Sequence, residues 1–335
     1  MSENYDALKK MWLLGLCALV LIMISVGGIT RLTRSGLSIV EWRPISGIIP
    51  PLNEEAWQTQ FNLYKSSAEY NQINSHFELK DYKNIFLWEY THRLLGRVIF
   101  LFVLIPGLIL WRKKMVSGRL VLLLAALIAS QGLIGWLMVK TGLNTKPHVS
   151  PYMLAVHFFS ALSVLVVIYY QYLKIKKPDP ISLVPLQSYF LKLYGTLLCV
   201  QIFYGCLVAG FKAGYGYNTF PLMNGEFFPA DGFFFYPLWL NFFENTASIQ
   251  WFHRWLGILV LISLFGLLIT LVKSSIWKKI KIPVFSLLGL TMIQVVLGIL
   301  NIIYVVPVSL AALHQLCASF LVLAYFKILY ISRIF

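Results

Sequence analysis

Residues 88–111 read WEYTHRLLGRVIFLFVLIPGLILW, and residues 250–272 read QWFHRWLGILVLISLFGLLITLV. Each is an apolar run of the length that crosses about 30 Å of hydrocarbon as a helix. Each also opens on a His-Arg pair followed by Gly, at His92-Arg93 with Gly96 and at His253-Arg254 with Gly257. Two membrane spans that begin alike in the two halves of a chain are the mark of an internal repeat.

The composition agrees with a chain that lives in a bilayer. Of 335 residues, 59% are hydrophobic and only 12% charged, with a mean hydropathy of +0.74. Soluble domains carry about 25% charged residues, so a water-soluble enzyme is excluded. Further apolar blocks near 11–29, 119–139, 152–173, 188–210, 282–303 and 308–330 bring the expected spans to eight. Blocks of this length exclude the alternating pattern of an outer-membrane barrel. The expected fold is an all-α polytopic membrane protein, built as two repeated four-helix bundles over 1–180 and 181–335. Residues 1–10 are too polar for a signal peptide, so the first block is expected to remain as a span.

The formal charge of +15 belongs to topology rather than to nucleic acid. Cations gather in the loops of one side at Lys9, Lys10, Arg112, Lys113, Lys114, Arg119, Lys174, Lys176, Lys177, Lys273, Lys278, Lys279, Lys281 and Arg333, with almost no acids beside them. The positive-inside rule places that side, and both termini, in the cytoplasm. The two long segments, about 30–87 and 211–249, then lie outside. Both are expected to fold over the outer face, with an interfacial helix within Glu54 to Ile73. The four cysteines, Cys17, Cys199, Cys206 and Cys317, all lie inside apolar blocks without a CxxC, a pattern that points away from disulfides and zinc.

Four of the six histidines occupy repeated positions. His92 pairs with His253, and His157 (LAVH) with His314 (AALH). Gln131-x3-Gly135 recurs as Gln294-x3-Gly298, and Gly27 loosely echoes Gly205. All four histidines fall within about two turns of an outside-to-inside helix start, so they share a depth toward the outer leaflet. Two imidazoles from different helices at one level suit bis-histidine ligation of a haem iron in a bundle core. Small residues nearby (Gly96, Ala155, Ser160, Gly257, Ala312, Ser319) leave room for a flat macrocycle. A single such histidine is more simply a polar helix-end residue; four at matched depths favour ligation. Arg93 and Arg254 either snorkel to the interface or pair with haem propionates. His76 and His148 lack repeat partners and are expected to be solvated or local.

The halves differ at one position that matters. Glu89 lies one helical turn before His92 on the same face, whereas Gln250 occupies the matching place before His253. A carboxylate beside a metal centre serves as acid, base or charge stabiliser; otherwise Glu89 is an interfacial acid beside Lys83 or Arg93. HExxH, Walker A and GxGxxG motifs and an aspartate-rich diphosphate site are all absent from the sequence. A dihaem b-type electron-transfer protein is the alternative, disfavoured by the Glu89/Gln250 difference. A transporter would place its charges nearer the bilayer centre.

With GGITRLTRSGLS (27–38), EYTHRLLGR (89–97), KAGYGYNTFPLMNGEFFP (212–229), FHRWLG (252–257) and the histidines of spans 4 and 8 in order, the chain resembles the haem A synthase family. Members oxidise the C8 methyl of haem O, through an alcohol and a gem-diol, to the formyl group of haem A for cytochrome oxidase assembly. The resemblance implies that His253 and His314 ligate a resident haem b in the C-terminal bundle, with Arg254 beside it. Glu89, His92 and His157 then belong to the substrate haem site of the N-terminal bundle, Glu89 being the catalytic carboxylate. The chain lacks the outer-loop cysteine pair of one branch and looks like the branch shared by mitochondria and alphaproteobacteria. The expected partners are haem O, the lipid bilayer, an electron acceptor for which quinone is a candidate, and a haem O synthase as candidate supplier. The expected location is the bacterial inner membrane; homo-oligomerisation stays open.

Overall fold

The computed structural model describes residues 2–143 and 147–334. Among these residues the α-helices are α1 (Ser2–Leu32), α2 (Glu54–Lys65), α3 (Leu79–Arg112), α4 (Gly118–Leu143), α5 (Pro151–Lys176), α6 (Pro185–Gly210), α7 (Thr246–Val272), α8 (Trp277–Ile303) and α9 (Val308–Ser332). Among the described residues, all of these except α2 are long and apolar enough to cross a membrane, and there is no strand. Helices satisfy every backbone polar group within the segment, which a hydrocarbon solvent demands. The chain is an all-α, multi-pass membrane protein.

Six of the eight spans start within about five residues of where their sequences say they should, and two start nine residues early. Pro151 and Pro185 open α5 and α6 and Pro307 precedes α9, positions where a missing N–H costs nothing. Asn245 caps α7 by accepting from the backbone N–H groups of Ala247 (2.9 Å) and Ser248 (3.3 Å). The polar residues before the first block continue into α1, which begins at Ser2 rather than near 11, and α3 begins at Leu79 rather than near 88. Its added turns carry Tyr82 and Phe86, which bury against Phe61 and Tyr64 of the outer segment. Aromatic packing extends this helix outward past the end of its lipid-length run.

The contacts divide into two compact units, Met1–Ile168 and Tyr169–Phe335. In the first, α3 is central, packed along α1 and α4. A β-carbon at Gly107 would stand 3.1 Å from Trp12 and 3.0 Å from Val121, so the missing side chain lets three helices close on one point. Above them α2, capped by Asn53, lies against α3. Arg97 of α3 donates to the carbonyls of Pro44 (2.9 Å) and Arg43 (2.8 Å), and Tyr90 to that of Ile48 (2.6 Å). The first outer segment is thereby fixed to the helix that carries His92.

In the second unit α6 packs along α7 and α8 along α9, with α7 meeting α8. Polar ties replace water where the interior needs them, as where Tyr194 and Thr291 pair at 3.0 Å. The outer segment between α6 and α7 is held in its own right. Asn218 donates to the carbonyls of Gly214 and Ile302, both at 3.0 Å, and Asn245 to that of Asp231 at 2.7 Å. Trp251 donates to Phe227 at 2.8 Å, so the aromatic loop is ordered onto α7.

Candidate haem sites

Each of the four repeated histidines rests against a glycine of a neighbouring helix. Built β-carbons would stand 3.0 Å from the His92 ring at Gly27, 3.3 Å from His157 at Gly135, 3.1 Å from His253 at Gly205 and 3.2 Å from His314 at Gly298. The helix pairs are α1/α3, α4/α5, α6/α7 and α8/α9. Any side chain at these glycines would crowd the imidazole, so helix approach and ring placement are one requirement. Gly96 and Gly257, expected to make room, instead receive Met23 and Gln201, whose atoms stand 3.1 and 3.2 Å from the positions of their missing β-carbons.

In the second unit His253 and His314 face each other with ring centroids 6.4 Å apart and planes at 74°. With metal–imidazole bonds of about 2 Å, rings at this spacing could share one metal ion. One nitrogen of each ring meets an amide: Gln201 stands 3.5 Å from His253 Nε2 and Gln294 stands 3.2 Å from His314 Nε2. The other, Nδ1, is buried without a hydrogen-bond partner in both. A buried imidazole nitrogen without a hydrogen-bond partner is one that a metal ion could satisfy.

Arg254 lies one residue after His253 and is 7% exposed. It donates to the carbonyls of Tyr217 (2.7 Å, Nη2) and Thr219 (2.7 Å, Nη1). Its charge therefore has no carboxylate among those partners, and its Nε is buried without an acceptor. Gln250, one turn earlier, donates to the same Tyr217 carbonyl at 2.9 Å. Together the two side chains hold the outer loop against α7.

In the first unit the corresponding residues are charged. Glu89, 3% exposed, accepts from Ser38 Oγ (2.7 Å) and the Ile39 N–H (2.8 Å) on one oxygen, and from Arg93 (2.6 and 3.0 Å) on the other. Arg93 also donates to the carbonyls of Ile39 (2.9 Å) and Glu41 (3.1 Å), and its guanidinium lies 5.8 Å over Trp42. Of the two partners expected for an interfacial Glu89, Arg93 is the one it has; Lys83 pairs with Glu54 at 3.3 Å. His157 Nδ1 is buried without a partner. His76 packs edge-on to Phe77, and the carbonyl of His148 stands 3.0 Å from the position of a Gly142 β-carbon. The four cysteines are free thiols.

A family pattern described as cytochrome oxidase assembly protein matches residues 10–326. The chain belongs to the haem A synthase family. It is 42% identical to the haem A synthase of Rickettsia rickettsii (strain Sheila Smith) over 322 residues, 92% of this chain and 94% of that protein. Against the haem A synthase of Ehrlichia ruminantium (strain Gardel) it is 38% identical over 343 residues, 99% and 97% of the two chains. Against that of Wolbachia pipientis wMel it is 37% identical over 310 residues, 91% and 87%. The motifs that carried the resemblance to haem A synthases are the loop and helix-start residues that the structure ties together. Sequence reading did not single out Ser38, Gln201 or Met23; the repeat register, extended four residues back from Gly27 and Gly205, points to the last two.

Proposed function

We infer that this protein is a haem A synthase, an oxidoreductase that takes the C8 methyl of haem O to the formyl group of haem A for cytochrome oxidase assembly. The net change removes four electrons and four protons while one oxygen is gained from water. The observation that carries the reading is the contrast at one register of matched helices: Glu89 in one unit, Gln250 in the other. The neutral residue already holds its loop, so anchoring does not call for an anion; Glu89 balances Arg93 and leaves a carboxylate at the site.

The second unit, assigned to 181–335 from sequence, is the resident haem b site. His253 and His314 would hold the haem iron, a role that their ring spacing and unpartnered buried nitrogens support. Arg254 supplies an uncompensated buried cation and one free donor, Nε, to a propionate, while its other nitrogens fix the loop that closes the site. Bound there, the haem supplies one-electron redox chemistry.

The first unit, assigned to 1–180, takes haem O, with His92 and His157 toward the substrate iron. Glu89 is the catalytic carboxylate. Four donors hold it rigidly, so its charge is fixed beside the reacting face, where it stabilises developing positive charge and receives protons released from the methyl carbon. The protein works in the bacterial inner membrane with both termini cytoplasmic and both haem sites toward the outer leaflet. It takes haem O from the bilayer or from a haem O synthase and passes electrons to a small acceptor such as a quinone.

Glu89→Gln tests the role. Extracted haem from cells making haem O should retain haem b and accumulate haem O or its alcohol; normal haem A output would refute the assignment of Glu89.

A further inference from the structure

The repeat register matches the seam between α4 and α5 in the first unit with that between α8 and α9 in the second. Gly135 and Gly298, the glycines against His157 and His314, hold one register. Three residues further along, toward the connection to the next helix, stand Met138 on α4 and Asn301 on α8. Asn301 is buried, and its amide donates to the carbonyls of Leu297 on its own helix (2.8 Å) and Leu310 on α9 (3.2 Å). Leu297 adjoins Gly298 and Leu310 lies one turn before His314, so one side chain clamps the two helices beside the imidazole. The connection beyond the clamp is tight. Helix α8 ends at Ile303 and α9 begins at Val308. Val305 and Val306 between them both take the left-handed conformation, at φ 58° and 57°, which is costly for a β-branched residue. Val306 packs onto Gly214, where a β-carbon would stand 2.9 Å from it.

The first unit differs at each of these points. A methionine has no hydrogen to donate, so Met138 makes no such clamp, and the connection from Leu143 to Pro151 is longer. At this level α4 and α5 leave a cleft of about 290 Å³ lined by Leu137, Lys140, Thr141 and Met153. Leu137 follows Gly135 by two residues and Met153 precedes His157 by one turn, which puts the cleft beside the imidazole. It is a window with two edges. One is the contact of Gly135 with His157, and the other is the bond from the Ser150 N–H to Thr141 Oγ1 at 3.1 Å. Between those edges α4 rises about 9 Å. Leu133 and Leu137 are exposed on successive turns of α4, and Val156 is exposed on α5; within spans, such apolar faces meet lipid. At the rim the Lys140 ammonium lies 5.3 Å over the Trp136 ring, a pairing suited to the boundary between lipid and water. The window therefore opens sideways into the bilayer, close to that boundary.

Haem O carries a long isoprenoid chain that haem b lacks. A close-packed bundle has no room for such a chain, and lipid is as good a solvent for it as an apolar protein interior. What a site for haem O has to supply is a way out. We propose that the α4–α5 window passes the isoprenoid chain of haem O from the first-unit site into the bilayer, and that the Asn301 clamp, by sealing the matching α8–α9 seam, keeps tailed haems out of the second unit. This rests on the haem A synthase reading. Two similar bundles must choose between two similar haems, and an obstacle in the wrong site discriminates as effectively as room in the right one.

The test is the amount of tailed haem (haem O, its alcohol and haem A together) and of haem b per protein, extracted and identified by mass from full-length protein purified from cells that make haem O. The wild-type protein should hold both kinds. Leu137→Phe with Met153→Phe fills the window from both walls and should lower tailed haem by about 10-fold or more, the scale of overpacking, with haem b unchanged. Met153→Phe alone serves if circular dichroism shows that the double variant does not fold. Asn301→Ala should raise tailed haem per protein above the wild-type amount, as it enters the second unit. Undiminished tailed haem in the filled variants, or an equal fall of haem b in a folded protein, would overturn the window. Tailed haem that does not rise in Asn301→Ala would overturn the sealing. A wild-type protein that neither holds tailed haem nor makes haem A defeats the haem A synthase reading itself.

Discussion

Glu89 with Arg93 on α3 and Gln250 with Arg254 on α7 do the same mechanical work. Each pair sits one helical turn apart and ties the outer segment to the helix bearing the first histidine of its unit. In one unit the cation is neutralised within the pair at 2.6 Å. In the other it is not, and a buried cation without a counter-charge is costly. The comparison teaches that loop anchoring does not need the carboxylate. The charge of Glu89 is matched by Arg93, whereas the charge of Arg254 is left for an anionic group brought by the cofactor.

The comparison can be broken at several points. The largest effect is expected from His253→Ala or His314→Ala, which should remove the resident haem spectrum almost entirely while leaving the folded helices intact by circular dichroism. Glu89→Gln should lower haem A formation by about 100-fold or more, the lower range for a lost acid–base group. It should retain haem b, because Gln250 shows that an amide serves the loop. Glu89→Ala removes one partner of a buried pair and should also cost about 3–5 kcal/mol of stability, read as a fall in thermal midpoint.

The reverse exchange, Gln250→Glu, replaces a donor facing the Tyr217 carbonyl with an acceptor. It should loosen the second outer loop by about 1–3 kcal/mol, seen as faster proteolysis of residues 213–245, without adding a second haem A-forming site. The smallest effect concerns Tyr217 itself. Burial, and then its hydrogen bond and charge contact with Asp231, push the phenol from 10.0 up to about 12. A raised pKa means stability that is whole below pH 10 and lost as pH climbs through about 12. Tyr217→Phe should flatten that alkaline decline in a pH series of thermal midpoints.

The parts of this architecture visible in sequence are those with a strong one-dimensional signal. Eight lipid-length apolar runs give the spans, and the histidines stand out because ionisable groups are rare within them. The start of α3 was not visible, because hydropathy marks where lipid begins and not where Tyr82 and Phe86 find aromatic partners in the outer segment. For Arg254 the sequence offers snorkelling or a propionate partner, and two of its nitrogens are committed to loop carbonyls. Backbone acceptors supplied by a distant loop leave no trace in residue type. Nor did the sequence alone show that Gln131 donates to Ser160 while Gln294 meets His314, since both halves carry the same Gln-x3-Gly.

The most direct measurement is extraction and mass analysis of total haem from cells that make haem O, with and without this protein. The account predicts that haem A, or its hydroxylated precursor, appears only when the protein is present. Unchanged haem O beside a purified protein holding two haems b would contradict it and leave an electron-transfer protein in its place.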